Sequence, residues 1–155
     1  MHKILITGAL VCISGLAAAQ LTPIGLWNTI DDATGKPKAE VRVVANASGE
    51  LSGTVIRGLE VVSDPEPNCN KCTDDRKGKP KIGLEIIRGG KKADDKDVWE
   101  GGRILDPNNG TDYRLRLTPI DGGKKLEVRG YIGTPMLGRT QTWERVEYID
   151  DSASF

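Results

Sequence analysis

Histidine is almost missing from this sequence. The one copy, His2, lies in an N-terminal segment that we expect to be removed. The usual Ser-His and Cys-His nucleophiles need an imidazole as their base, so they are excluded from the rest of the chain. Mechanisms that use carboxylates alone stay open, and an enzyme is therefore the less favoured reading. We expect no catalytic residues, no cofactor and no metal site.

Charge of one sign is not in excess. The chain has 22 basic and 22 acidic residues, and the signs are interleaved. Near neutrality argues against a nucleic-acid partner and against a general membrane-surface binder.

Long apolar runs are also missing, except for the stretch from Ile4 to Leu16. Lys3 precedes this run and Ala17-Ala18-Ala19 follows it, which is typical of a secretory signal peptide over residues 1–19. The run is shorter than the roughly 20 apolar residues that span a bilayer. A lipoprotein at Cys12 is a second alternative, but the residues before Cys12 fit a lipobox poorly. We expect secretion into the bacterial periplasm and no integral membrane segment after cleavage.

Cysteine is scarce as well, since loss of Cys12 with the signal peptide leaves only Cys69 and Cys72. An even pair in an oxidising compartment predicts a disulfide between them. Half of a zinc site and a thioredoxin-like redox pair are the alternatives. Zinc would need a second pair of ligands, and the redox pair would need a βαβ setting.

No stretch of ten residues has a helical period. Aromatic residues make up only 5% of the sequence, whereas there are 19 glycines. Eight stretches instead have the character of strands separated by turn residues. They cover residues 24–30, 39–45, 51–62, 82–88, 97–105, 112–117, 124–132 and 138–146. Mostly short connections favour an all-β fold, a single antiparallel up-and-down barrel of about eight strands over residues 20–149. A β-sandwich is the structural alternative, and residues 150–155 are expected to form a loose C-terminal tail.

If the strands alternate in direction, four connections share one end of the barrel: residues 31–38, 63–81, 106–110 and 133–136. Ligand sites of barrels are usually in the mouth. We therefore predict a small-molecule site there. Its candidate residues are Asp31, Asp32, Asp106, Arg129 and Arg139. The alternatives are turn capping for the first two, and simple exposure to water for Arg129.

The first and last strands are expected to meet at the opposite end. Antiparallel pairing would place Arg145 over Trp27 as a structural cation–π contact, and Trp143 is also assigned a structural role. Arg139 would then lie near the mouth. The main functional alternative is a structural or protein-interaction module of the envelope, which predicts an envelope protein partner and an exposed apolar patch or unpaired edge strand.

The motif Gly25-Leu26-Trp27, combined with a late arginine, resembles the calycin superfamily of lipocalin-type barrels, in which the tryptophan packs under the barrel and the arginine covers it. Most of the chain is similar to the bacterial secreted family known as domain of unknown function 2147. Residues 27–36, 69–72, 99–107, 126–131 and 138–143 carry that resemblance. It implies secretion and a single β domain, and it names no activity.

Overall fold

The computed structural model describes residues 21–147, so the expected signal peptide and the expected tail at residues 150–155 lie outside the described residues. The strands are β1 Gly25–Ile30, β2 Pro37–Ala45, β3 Leu51–Gly58, β4 Glu85–Arg88, β5 Lys91–Lys92, β6 Trp99–Asp106, β7 Thr111–Ile120, β8 Lys125–Tyr131 and β9 Gly138–Arg145. They pair antiparallel in the order β4-β3-β2-β1-β9-β8-β7-β6-β5, and a further pairing of β4 with β6 closes the ring. The predicted antiparallel barrel is confirmed, with eight strands and one short extra strand.

The extra strand, β5, lies within residues 89–96, which the sequence predicts to be a charged turn. It continues the edge formed by β4 after an interruption at Gly89 and Gly90, whose φ angles of 72° and 96° suit glycine. Strand β6 pairs with both pieces. The prediction of a turn was wrong because two lysines with Ala93 as their only apolar neighbour do not have the alternation of a half-buried strand.

The backbone of β6 passes unusually close to this interruption. A Cβ atom at Gly102 would lie 2.6 Å from both the Gly89 carbonyl carbon and the Gly90 nitrogen. We expect Gly102→Ala to lower the free energy of unfolding by about 2 to 3 kcal/mol, since rigid backbone must move to admit the methyl group. Urea denaturation measures this change. Gly58→Ala is the matched control, because a Cβ there meets nothing within 4 Å; an equal loss in both variants would contradict the account.

Large side chains fill the half of the barrel around Trp27, which we call the closed end. The almost completely buried residues here are Trp27, Val43, Leu51, Ile87, Leu115, Leu117 and Leu126. Further along the same strands, or on their neighbours, several of the residues that face inward are smaller or polar: Thr29, Ala39, Gly130 and Gln141. The interior is therefore solid at one end and hollow at the other.

The hollow end, which we call the mouth, is formed by four connections. They are residues 31–36, 59–84, 107–110 and 132–137, close to the four that strand alternation predicts. The longest connection begins where β3 stops at Gly58, four residues before the predicted end, and it runs to β4, which starts three residues later than predicted. All four connections contribute residues to the cavity described below.

Candidate functional site

A cavity of about 1070 Å³ occupies the hollow half of the barrel and opens at the mouth. Its apolar wall is formed by Ala39, Val41, Val55, Ile86, Ile104, Leu105, Val128 and Trp143. Within the described residues, the charged side chains that line it belong to the mouth connections or to the ends of strands next to them. The site thus combines an apolar interior with a charged entrance. Cavities of this size and character are typical of sites for small organic molecules.

A chain of polar contacts descends one wall from the entrance. Arg139 forms an ion pair with Asp32. The Gln141 Nε2–H donates to Asp32 Oδ2 at 2.9 Å, and the Trp143 indole N–H donates to Gln141 Oε1 at 3.2 Å. The mouth therefore connects to the buried Trp143 through Asp32 and two side chains of β9, Arg139 and Gln141, which lie on the same face of the strand as Trp143. The sequence indicates that Arg139 and Asp32 lie near each other, but it gives no sign of the link through Gln141.

Asp31 and Asp106 also line the cavity, but hydrogen bonds to their own turns engage them. Asp31 Oδ1 accepts from the Ala33 and Thr34 backbone N–H groups and from the Thr34 hydroxyl. The bonds from Thr34 hold the pKa of Asp31 below its ordinary value. Asp106 Oδ1 accepts from the Asn108 backbone N–H at 2.9 Å. These two carboxylates shape the entrance, and each retains one oxygen that these bonds do not use.

Arg129 lies away from the predicted site. Its strand neighbours Val128 and Gly130 line the cavity, so its side chain projects from the outer face of β8. There its Nε–H donates to the Pro135 carbonyl oxygen at 2.6 Å, and Nη1–H donates to the Thr140 hydroxyl at 2.7 Å. The structure thus does not bring Arg129 together with the other four candidates. Arg129 instead attaches the connection between β8 and β9 to the outside of the barrel.

Lys81 is an entrance residue that the sequence does not single out. Its ammonium group donates to Asp64 Oδ2 and to Asn108 Oδ1, each at 2.9 Å. The hydrogen bond from Lys81 lowers the pKa of Asp64. The length of residues 63–81 predicts a functional or disordered segment. No short-range pattern relates Lys81 to an aspartate 17 residues earlier.

The predicted disulfide between Cys69 and Cys72 is confirmed, and both cysteines are buried in the long connection. Paired backbone around it orders the segment, with Cys69 N–H donating to the Lys79 carbonyl oxygen at 2.8 Å. Arg76, only 2% exposed, pairs with Asp74 and also donates to the Glu85 carbonyl oxygen. These contacts attach the connection to β4, so one side of the mouth is held in place.

The same connection should make stability depend on pH in acid. Arg88 lowers the pKa of Asp75 from 3.8 to about 2. Because the folded pKa lies below the unfolded one, this pair stabilises the protein above about pH 4, and the contribution is lost as the pH falls from 4 towards 2. We expect Asp75→Asn to flatten the decline in unfolding free energy over that range in urea titrations. A variant that declines as steeply as the unchanged protein would contradict this.

The closed end is sealed by contacts between the two ends of the barrel sequence. The Arg145 guanidinium lies over the Trp27 ring, 4.1 Å from its centroid. It also donates to the carbonyl oxygens of Thr22, Ile24 and Gly123 at 2.6 to 2.9 Å. The Trp27 indole N–H donates to the Pro23 carbonyl oxygen at 2.8 Å. Burial lowers the pKa of Arg145. The cavity is therefore open at the mouth alone within residues 21–147.

Residues 21–147 contain no group of three or more histidine, cysteine, aspartate or glutamate side chains placed to hold a metal ion. The same residues include no helix that is long and apolar enough to cross a membrane.

Comparison with known proteins supports the architecture. The family model described as "Uncharacterized protein conserved in bacteria (DUF2147)" matches residues 25–145. No curated protein matches the chain. Among solved structures, protein HP1028 from the human pathogen Helicobacter pylori, which is described as belonging to the lipocalin family, is similar with a TM-score of 0.69. The two are 17% identical, and the match covers 83% of this chain and 85% of that one, so it shows the fold alone. The chain therefore belongs to the bacterial family DUF2147 and has a lipocalin-like barrel.

Proposed function

We propose that this protein binds or carries a small molecule, with an apolar body held inside the barrel and a polar end at the mouth. The observation that carries the proposal is the hollow apolar half of the barrel, which opens on one side. If nothing occupied this cavity of about 1070 Å³, the side chains of its walls would have no packing partners on the side that faces it. A ligand supplies those contacts. After secretion, the protein would act in the periplasm, where the Cys69–Cys72 disulfide is favoured.

The distribution of polarity in the cavity defines the ligand. Burying an unpaired charge against the deep apolar wall would be very costly, so the body of the ligand should be uncharged. Thr29, Tyr113 and Gln141 line the cavity and offer hydrogen bonds to a few polar atoms. At the entrance, carboxylates and cations are largely paired with one another. A polar or zwitterionic end group can join these pairs without leaving a charge unmatched.

A neutral apolar fluorophore, N-phenyl-1-naphthylamine, tests the proposal. We expect a saturable rise in its emission with purified mature protein. In parallel, the indole N–H resonance of Trp143 should shift during the titration, because Trp143 lines the cavity. The resonance of Trp27, sealed at the closed end, should stay in place and serves as the internal control. Absence of saturable binding, or equal shifts of both resonances, would contradict a site in the cavity.

A further inference from the structure

The rim of the mouth carries exposed apolar side chains on two of its four connections. Nine large apolar side chains are exposed within residues 21–147, and six of them belong to these mouth connections: Val61, Val62, Ile82, Ile132, Met136 and Leu137. They come from two connections, residues 59–84 and 132–137. Apolar side chains scattered singly over a surface need no explanation, but a concentration at one end marks an interaction surface.

This rim is continuous with the cavity wall. Val62, Ile82, Ile132 and Leu137 line the cavity as well as being exposed. Val61 and Met136 do not line it and project outward from the same two connections, with relative exposures of 103% and 87%. An apolar ligand that leaves the barrel would cross these side chains. If these side chains face water, the apolar surface of the ligand must be hydrated as it leaves. If they face another apolar phase, the ligand can leave without being hydrated.

The charged residues around the mouth indicate what kind of surface the apolar rim contacts. Asp32 pairs with Arg139, Asp64 with Lys81, and Asp31 with Lys38. These three pairs neutralise one another, and the two other carboxylates that line the cavity, Glu60 and Asp106, leave a small negative excess that disfavours an anionic surface. The protruding side chains are aliphatic or methionine, and none of the six is an aromatic anchor of the kind typical of protein interfaces.

We infer that the mouth docks on an uncharged lipid surface, with Val61 and Met136 entering the interfacial layer of the bilayer and the cavity facing it. The inference rests on the proposed function for its purpose, since docking would let an apolar ligand pass between bilayer and barrel. It does not depend on the net charge that general membrane-surface binders use, and the near neutrality of the chain is consistent with that. Binding through apolar area is insensitive to salt, whereas binding through charge is screened.

Flotation of the mature protein with phosphatidylcholine vesicles tests this docking. We expect the protein to float with the vesicles to the same extent in about 0.05 M and about 0.5 M salt, because no Coulomb attraction is involved. Replacing both outer side chains, Val61→Ser with Met136→Ser, should reduce the partition coefficient about tenfold or more, given the apolar area removed. Val44→Ser is the matched control, since Val44 is exposed on β2 away from the mouth.

Three results would overturn the docking: no flotation, flotation that requires anionic lipid and disappears in salt, or equal flotation of the double variant. A rim that serves a protein partner would give the first of these. Titration with N-phenyl-1-naphthylamine in the absence of vesicles separates this proposal from the proposed function. Probe binding by a protein that does not float overturns docking alone, and flotation without probe binding overturns the cavity site alone. Loss of flotation in the double variant with probe binding retained supports both.

Discussion

Arg145→Ala is expected to lower the free energy of unfolding by about 3 kcal/mol, the largest effect on stability of any change considered. The guanidinium stacks on Trp27 and donates to three backbone carbonyl oxygens, those of Thr22, Ile24 and Gly123. A hydrogen bond to a charged group contributes about 1.5 to 3 kcal/mol, and the cation–π contact adds about 0.5 to 2 kcal/mol. These contributions are not additive, because water can donate to some of the three carbonyl oxygens once the guanidinium is removed from this half-buried site. Urea denaturation at neutral pH measures the loss.

Two further variants identify the cause of this loss of stability. Arg145→Lys keeps the charge but presents one nitrogen in place of three, so it should recover less than half of the lost stability. Arg114→Ala removes an exposed arginine from the outer face of β7 and should change stability by less than about 0.5 kcal/mol. If Arg114→Ala were as damaging as Arg145→Ala, or if Arg145→Lys were fully stable, the seal at the closed end would not depend on these contacts.

Ala39→Trp is expected to weaken binding of an apolar probe by about tenfold or more while the barrel stays folded. Ala39 is a small residue on β2 whose side chain lines the cavity. An indole group at this position would project into open space, so it should cause little strain in the protein. It would compete with the ligand for that space, and overlap worth about 1 to 3 kcal/mol corresponds to roughly 10- to 100-fold in affinity. Fluorescence titration measures the change.

Val44→Trp is the matched control for this variant. Val44 lies on the same strand but is exposed and does not line the cavity. It should bind the probe with unchanged affinity. Equal affinity in Ala39→Trp would mean that the probe binds outside the barrel, and equal loss in both variants would mean that the strand itself is disturbed.

The arrangement of the barrel could be predicted where alternation and strand direction decide it. An antiparallel first and last strand must bring the end of one to the start of the other, and β1 pairs with β9 through Trp27 and Arg145. The same rule places Arg139 at the opposite end, next to Asp32. The grouping of four connections at the mouth follows from the order of the strands.

The remaining features depend on contacts that are distant in the sequence or on single backbone positions. β5 forms because β6 is long enough to pair beyond the interruption at Gly89 and Gly90, which no local pattern of Lys91 and Lys92 indicates. The pairing of Lys81 with Asp64 requires the course of a long irregular segment. Alternation places Arg129 on the face of β8 opposite Leu126 and Val128, and exposure to water is the alternative that this pattern offers. Because Val128 lines the cavity, the structure places Arg129 outside the barrel.

Native mass spectrometry of the protein isolated without unfolding from its own bacterium tests the central claim most directly. If the hollow half of the barrel holds a ligand, the intact protein should carry an extra mass of a small organic molecule. That mass should be lost on denaturation and should be reduced or missing in Ala39→Trp while it persists in Val44→Trp. A protein that always has the mass of its polypeptide alone, or an added mass equally present in Ala39→Trp, would contradict a ligand in the cavity.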